Sequence, residues 1–188
     1  MDWGTAVGDG TTWRTLSYDE WYYLFKTRDN ASSLYGVARI NLNTDGSEYV
    51  NGLIVLPDNW SCPTGVTFKS GVNNQDWHGG MINNGVQPFA DYQTFTTTEW
   101  KVLETAGAVF FPVTGWRSGT SVSTTLYGTY WSSTAVENTS SKDNDDMPEG
   151  LGMQKQETSY RFQFGFYGIS TSSPTDRNGR AVRLVQDL

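Results

Sequence analysis

Residues with catalytic or metal-binding chemistry are few in this chain. Cys62 and His78 are its only cysteine and its only histidine. A lone cysteine excludes an intramolecular disulfide, and one cysteine with one histidine cannot supply the usual zinc ligand sets. Cys62 has no basic neighbour in the sequence to activate its thiol. A catalytic His78 would need a nucleophile and an orienting acid, and the sequence indicates neither. We therefore expect no enzyme.

An acidic stretch is the one candidate for a cation site. Asp143, Asn144, Asp145 and Asp146, with Glu149 nearby, carry the oxygen ligands that calcium prefers. The stretch lacks the spacing of an EF-hand and its glycine at the sixth position. A solvated acidic loop is therefore favoured, and we expect no cofactor, with calcium as the open alternative.

Composition and charge narrow the class of protein. The 188 residues fit a single domain over 1–188, with 37% hydrophobic and 14% aromatic residues. Large aromatic side chains can build the core that a modest aliphatic content would not. A net charge of −7 argues against nucleic-acid partners. No apolar run is long enough to insert into a membrane, and the N-terminus lacks the pattern of a signal peptide. We expect the C-terminal part of a longer exported protein.

Two helices carry the same N-terminal signature. Ser17 and Glu20 form a capping box, as do Thr96 and Glu99. Apolar residues follow each box at helical spacing, which predicts a helix to about residue 28 and a second one that ends near Gly107. We expect both helices to pack in one domain.

Five apolar or alternating runs predict strands. They cover residues 52–57, 108–113, 128–134, 161–167 and 180–185. Residues 69–95 and 135–158 have little periodicity and predict long loops. The sequence therefore predicts an α+β fold, with two helices packed on a small, twisted, mainly antiparallel sheet whose N- and C-terminal strands lie close together.

The fourth run alternates most clearly. Phe162 and Phe164 share one face with Phe166, which predicts that Arg161, Gln163 and Tyr167 lie on the outward face. Charge, amide and aromatic area are typical of binding surfaces. An ordinary solvated sheet face is the alternative.

Seven short segments occur in an order that resembles the Fibrobacter succinogenes major paralogous domain family, common in exported proteins of Bacteroidetes. The segments are Trp13-Arg14-Thr15-Leu16-Ser17, Glu20-Trp21, Gly52-Leu53-Ile54-Val55-Leu56-Pro57-Asp58, Glu99-Trp100, Ala106-Gly107-Ala108-Val109-Phe110-Phe111-Pro112, Tyr130-Trp131-Ser132-Ser133-Thr134 and Arg180-Ala181-Val182-Arg183. The resemblance implies a C-type-lectin-like fold, related to retroelement variable proteins and more distantly to formylglycine-generating enzymes. It also implies a secreted or cell-surface module without catalysis.

The resemblance places ligand contacts on the C-terminal strands and loops, about residues 130–183. The candidate ligand-binding residues are Trp131, Ser133, Glu137, Asn138, Tyr160, Arg161, Gln163, Tyr167 and Arg177. Calcium-dependent sugar binding in C-type lectins uses a Glu-Pro-Asn or Gln-Pro-Asp loop and a Trp-Asn-Asp strand. This chain has Val136-Glu137-Asn138 and Trp131-Ser132-Ser133 instead, and it lacks the cysteine pair of the formylglycine-generating enzymes.

The expected function is recognition or adhesion at the outer-membrane surface or outside the cell, with a glycan or protein ligand on another cell or on a matrix. Two alternatives remain at this point. One is a structural module of a surface protein, and the other is a retroelement-diversified receptor-binding protein. Trp131 itself is expected to belong to the core, with the neighbouring hydroxyls satisfying local backbone groups.

Overall fold

The fold combines two α-helices with four β-sheets in the residues that the computed structural model describes, namely 13–71, 93–123, 127–135, 151–155, 159–165 and 178–186. This confirms the predicted α+β class. The helices are α1 (Tyr18–Tyr22) and α2 (Thr97–Thr105). The strands are β1 (Arg14–Thr15), β2 (Tyr35–Asn41), β3 (Tyr49–Val55), β4 (Gln93–Thr96), β5 (Val109–Pro112), β6 (Trp116–Ser118), β7 (Ser121–Ser123), β8 (Tyr127–Ala135), β9 (Leu151–Lys155), β10 (Ser159–Gly165), β11 (Asn178–Gly179) and β12 (Leu184–Val185).

The chain divides into two units; in its described part, the first contains α1 and three sheets, and the second contains α2 and one sheet. The first unit joins residues 1–27 to 114–188, and the second holds residues 28–113. The sequence predicted one small sheet beneath two packed helices, whereas each helix packs against the sheet of its own unit. That residues 1–188 form one domain stays a prediction.

Helix α1 begins at the predicted capping box. The Ser17 hydroxyl accepts from the Glu20 amide at 3.3 Å, and the Glu20 carboxylate accepts from the Ser17 amide at 2.8 Å. Burial alone would raise the pKa of Glu20, but these bonds and its pairing with Arg14 lower that pKa overall. The helix continues as a π-helical turn over Tyr23–Thr27 and so ends close to the predicted residue 28.

The largest sheet of the first unit has the strand order β8-β10-β9 and is antiparallel throughout. Phe162 and Phe164 are buried on one face, as predicted, and Phe162 stacks on Trp21 and Phe25 with ring centroids 4.5 and 4.7 Å apart. Strand β9 lies inside the stretch 135–158 that was predicted to be a loop, so that prediction is wrong for residues 151–155. The buried Leu151 and Met153 explain the strand, because they extend the same apolar face.

Shorter strands complete the first unit. β1 pairs antiparallel with β12, which confirms that the terminal strands are neighbours. A three-stranded sheet has the order β11-β6-β7. The predicted strand 180–185 is shorter than expected, since only Leu184–Val185 forms a ladder and Ala181 makes a single bridge to Tyr130.

The second unit is built on a mixed sheet with the order β4-β2-β3-β5, in which only the β2–β4 pair is parallel. Strands β3 and β5 match predicted runs, while β2 and the end of the predicted loop 69–95, which forms β4, were missed. Helix α2 starts at the predicted Thr96–Glu99 capping box and ends at Thr105, with its C-cap at Ala106 followed by Gly107, whose φ of 95° suits glycine. The core of this unit contains Ala38, Ile54, Leu56, Phe95 and Leu103.

Candidate functional site

The two faces of the β8–β10 pair differ in chemistry. Arg161 stands directly opposite Trp131, and Phe162 stands opposite Tyr130. Directly opposed residues share a face, and successive residues alternate between faces. The Phe162 side is therefore the buried aromatic face. The opposite side carries Trp131, Thr129 and Arg161, and we call it the Trp131 face.

A third chain segment borders the Trp131 face along the free edge of β8. The Trp131 amide donates to the Ala181 carbonyl at 2.9 Å, and the Ala181 amide donates to the Thr129 carbonyl at 3.2 Å. This bridge holds the neighbouring Arg180 beside the indole. The Arg180 guanidinium carbon lies over the Trp131 ring, 5.5 Å from its centroid, which is a cation–π contact.

Trp131 is half-buried rather than part of the closed core. The residue keeps part of its surface in solvent, and Arg180 is exposed to a similar intermediate degree. Arg161 is the cross-strand partner of Trp131, and Arg180 reaches the ring from the bridging segment. Two arginines therefore adjoin one tryptophan on this face.

The predicted exposure of Arg161 is wrong, because only 6% of its surface is accessible. Strand alternation gives the face on which a side chain lies and not its exposure. Arg161 does lie on the face opposite Phe162, where Trp131 is its cross-strand partner. The outward side of β10 is nevertheless covered at Arg161.

Burial lowers the pKa values of both arginines beside Trp131, and like charge adds to the effect at Arg161. Burial, followed by repulsion from Arg180, lowers the pKa of Arg161 to about 9. Burial also lowers the pKa of Arg180 to about 10. Both groups still carry their charge at neutral pH. Nε and Nη1 of Arg180 are buried, and neither has an acceptor among the described residues.

The neighbouring hydroxyls serve the backbone, as expected. The Ser132 hydroxyl accepts from the Thr134 amide at 3.1 Å, and the Thr134 hydroxyl accepts from the Tyr18 amide at 2.8 Å. Thr129, also on the Trp131 face, is buried and donates from its hydroxyl to the Gly115 carbonyl at 2.6 Å. These bonds fix the strand that presents Trp131.

The remaining candidate residues have different outcomes. Ser133 is half-buried on β8, and its amide donates to the Leu16 carbonyl at 3.0 Å. Tyr160 and Gln163 occupy positions on β10 opposite Lys155 and Thr129 respectively. Four candidates lie outside the described residues, namely Glu137, Asn138, Tyr167 and Arg177.

Sequence reasoning missed Arg180 as a site residue. The run Arg180-Ala181-Val182-Arg183 was assigned to a closing strand only. The mixture of charged and apolar residues in this run was the available signal. A strand beside β8 would present either Arg180 or Ala181 to the Trp131 face, because successive residues alternate between faces. Which strand it would border could not be read from the run itself.

Cys62, His78 and the acidic stretch were the other sequence candidates. Cys62 is exposed, and its sulfur lies 3.5 Å from the Val66 carbonyl oxygen. His78 and the acidic stretch 143–149 lie outside the described residues. Within the part of the chain that is described, no three His, Cys, Asp or Glu residues group together as metal ligands.

No protein-family model, no curated protein and no solved structure matches this chain. The arrangement around Trp131 therefore has to be interpreted from its own chemistry. Among the helices of the described ranges, none is long and apolar enough to cross a membrane.

Proposed function

We propose that this chain is a non-catalytic recognition module with a C-type-lectin-like fold, and that it binds its ligand on the Trp131 face of the C-terminal sheet. The observation that carries the proposal is the half-buried Trp131, with Arg161 opposite it on β10 and the Arg180 guanidinium group over its ring. A rigid indole supplies apolar contact area, and guanidinium groups supply directed hydrogen bonds. Trp and Arg are the residue types most enriched where binding energy concentrates.

The scaffold behind this face suits a preorganised site. The stacked rings of Trp21, Phe25 and Phe162 support β10 from its other side. The bridge to Ala181 fixes the segment that carries Arg180. Side chains held by a packed core lose little freedom when a ligand binds, which favours affinity.

The non-catalytic part of the proposal is supported by the roles of other charged groups. Glu20 pairs with Arg14 in the first capping box, and Lys101 pairs with Glu104 on α2. Arg28 is buried and donates to two backbone carbonyls. Each of these groups therefore has a structural role that explains its position without a catalytic function.

The C-type-lectin-like fold is proposed from the sequence resemblance, together with the pairing of the terminal strands β1 and β12. The location is proposed from the resemblance alone. The resemblance places the module at the cell surface or outside the cell. The ligand is then a glycan or a protein on another cell or on a matrix.

A glycan array with matched tryptophan variants tests the proposal. We expect wild-type signals that disappear in Trp131→Ala and persist in Trp13→Ala, since Trp13 is an exposed tryptophan of the same unit. Circular dichroism confirms that both variants fold, and Trp131→Phe serves if the alanine variant does not. A wild-type signal that survives in Trp131→Ala contradicts the proposed site. If the wild type gives no signal on the array, glycans are excluded as the ligand. A protein ligand is then tested with the same two variants.

A further inference from the structure

We infer that Arg161 and Arg180 form a binding site for an oxyanion, carboxylate or sulfate, that an acidic glycan presents next to Trp131. The inference deepens the proposed recognition function and rests on it. It names the chemistry of the ligand group that the Trp131 face would take.

Two like charges lie beside one aromatic ring. Arg161 is the cross-strand partner of Trp131, and the Arg180 guanidinium carbon lies 5.5 Å from the centroid of the Trp131 ring. Arg161 is buried and Arg180 is half-buried, in a chain whose net charge is −7. Two neighbouring cations that are partly withdrawn from water repel each other. An anion bound beside both would attract each of them and offset that repulsion.

Two other arginines of the described residues have acceptors on their guanidinium groups. Arg28 donates from Nη1 to the Leu56 carbonyl at 2.8 Å and from Nη2 to the Leu34 carbonyl at 3.0 Å, so that of its nitrogens only the buried Nε has no acceptor within the described ranges. Arg39 lies 3.9 Å from the centroid of the Tyr49 ring and donates from Nε to Asn51 at 3.1 Å. Arg180 also lies over an aromatic ring, but its buried Nε and Nη1 have no acceptor among the described residues.

Buried donors are nearly always hydrogen-bonded, so the two Arg180 nitrogens indicate a place where an acceptor belongs. A carboxylate or sulfate is the best match for a guanidinium fork, because two parallel N–H···O bonds can form. Such an anion would also return the lowered pKa values of both arginines toward their usual range. Arg180 and Trp131 keep partial exposure, but Nε and Nη1 of Arg180 are themselves buried, so a ligand would meet them only after the guanidinium group turns outward.

An acidic sugar fits this site better than an acidic peptide. A uronic acid or a sulfated sugar carries an apolar ring face and an oxyanion within one residue. The site offers an indole and two guanidinium groups within one cross-strand neighbourhood. A peptide carboxylate would use the arginines and leave the exposed part of the indole without a ligand contact.

Isothermal titration calorimetry on the full chain tests the inference. The probes are hyaluronan tetrasaccharide for the carboxylate, a heparin tetrasaccharide for the sulfate, neutral chitotetraose, and a tetraglutamate peptide. The variants are Arg180→Gln and the matched control Arg39→Gln, which removes an arginine from another aromatic ring. Arg180→Lys keeps the charge without the fork and serves if Arg180→Gln does not fold.

We expect at least one acidic tetrasaccharide to bind. Chitotetraose should bind at least about tenfold more weakly, because a hydrogen bond to a charged group contributes at least that much affinity. Arg180→Gln should lose about tenfold or more in affinity for the acidic sugar, Arg180→Lys should lose less, and Arg39→Gln should match the wild type. Equal binding of neutral and acidic sugars, abolished by Trp131→Ala, would overturn the oxyanion site and leave the recognition function standing. Preference for tetraglutamate would overturn the glycan assignment, and no binding of any probe would overturn the inference without deciding between glycan and protein recognition.

Discussion

Replacing Phe162 with leucine tests the aromatic stack that supports the Trp131 face. The Phe162 ring lies between two partners, 4.5 Å from the Trp21 ring and 4.7 Å from the Phe25 ring. The interplanar angles are 12° and 3°, so both contacts are stacked. Stacked aromatic pairs contribute about 0.5–1.5 kcal/mol each beyond the area they bury. Losing both contacts should lower the free energy of unfolding by about 1–3 kcal/mol.

The assay is urea unfolding followed by circular dichroism, with linear extrapolation to water. A double-mutant cycle with Phe25→Leu isolates one ring pair, and its coupling energy should be about 0.5–1.5 kcal/mol. Val122→Ala, at an exposed position of β7, is the control and should change stability by less than about 0.5 kcal/mol. Strict additivity of the Phe162→Leu and Phe25→Leu effects would refute the stack.

Three further predictions address the capping box, a close approach in the sheet, and the charges of Arg161 and Arg180. Thr96→Ala should cost about 1 kcal/mol of unfolding free energy in urea titrations, since the Thr96 hydroxyl caps α2, and a cost near zero would contradict this role. Gly128→Ala should cost about 1–3 kcal/mol by the same measurement, because its added methyl group would meet the Phe164 ring, and a neutral effect would contradict that packing. Binding of hyaluronan tetrasaccharide should weaken as pH rises through about 9 and on through about 10, because Arg161 and then Arg180 lose their protons; calorimetry across this pH range measures the affinity, and constant affinity would contradict the lowered pKa values of the two arginines.

Local sequence signals predicted the parts of the fold that depend on few residues. Each capping box needs only a hydroxyl and a carboxylate three residues apart, and both formed as expected. The alternation around Phe162 and Phe164 placed the buried face of β10 correctly. These features depend on near neighbours in the chain, which is why their patterns are informative.

Features set by distant partners were not predictable in the same way. Strand β2 is buried along most of its length, so it shows no alternation of apolar and polar residues. β9 is a short run, and its two buried residues indicate a strand only once they are seen paired with β10. The division of the chain between two units also depends on contacts that no local run reveals.

The candidate site shows the same limit at the level of single residues. Trp131 and Arg161 were identified, but the burial of Arg161 could not be predicted, because strand alternation gives only the face on which a side chain lies. Arg180 was missed because its role depends on the bridge between Ala181 and Tyr130, which joins segments far apart in the sequence. Residue type suggested binding, while the three-dimensional neighbourhood indicated which arginines would take part.

The most direct test of the Trp131 face as the contact surface is a two-dimensional nuclear magnetic resonance titration of the chain with hyaluronan or heparin tetrasaccharide. The indole N–H signal of Trp131 and the Nε–H signals of Arg161 and Arg180 should shift together and saturate at one dissociation constant. The Arg39 Nε–H signal, from the arginine beside Tyr49, should stay in place. Shifts confined to Arg39 and its neighbours, with Trp131 unchanged at saturation, would contradict the account.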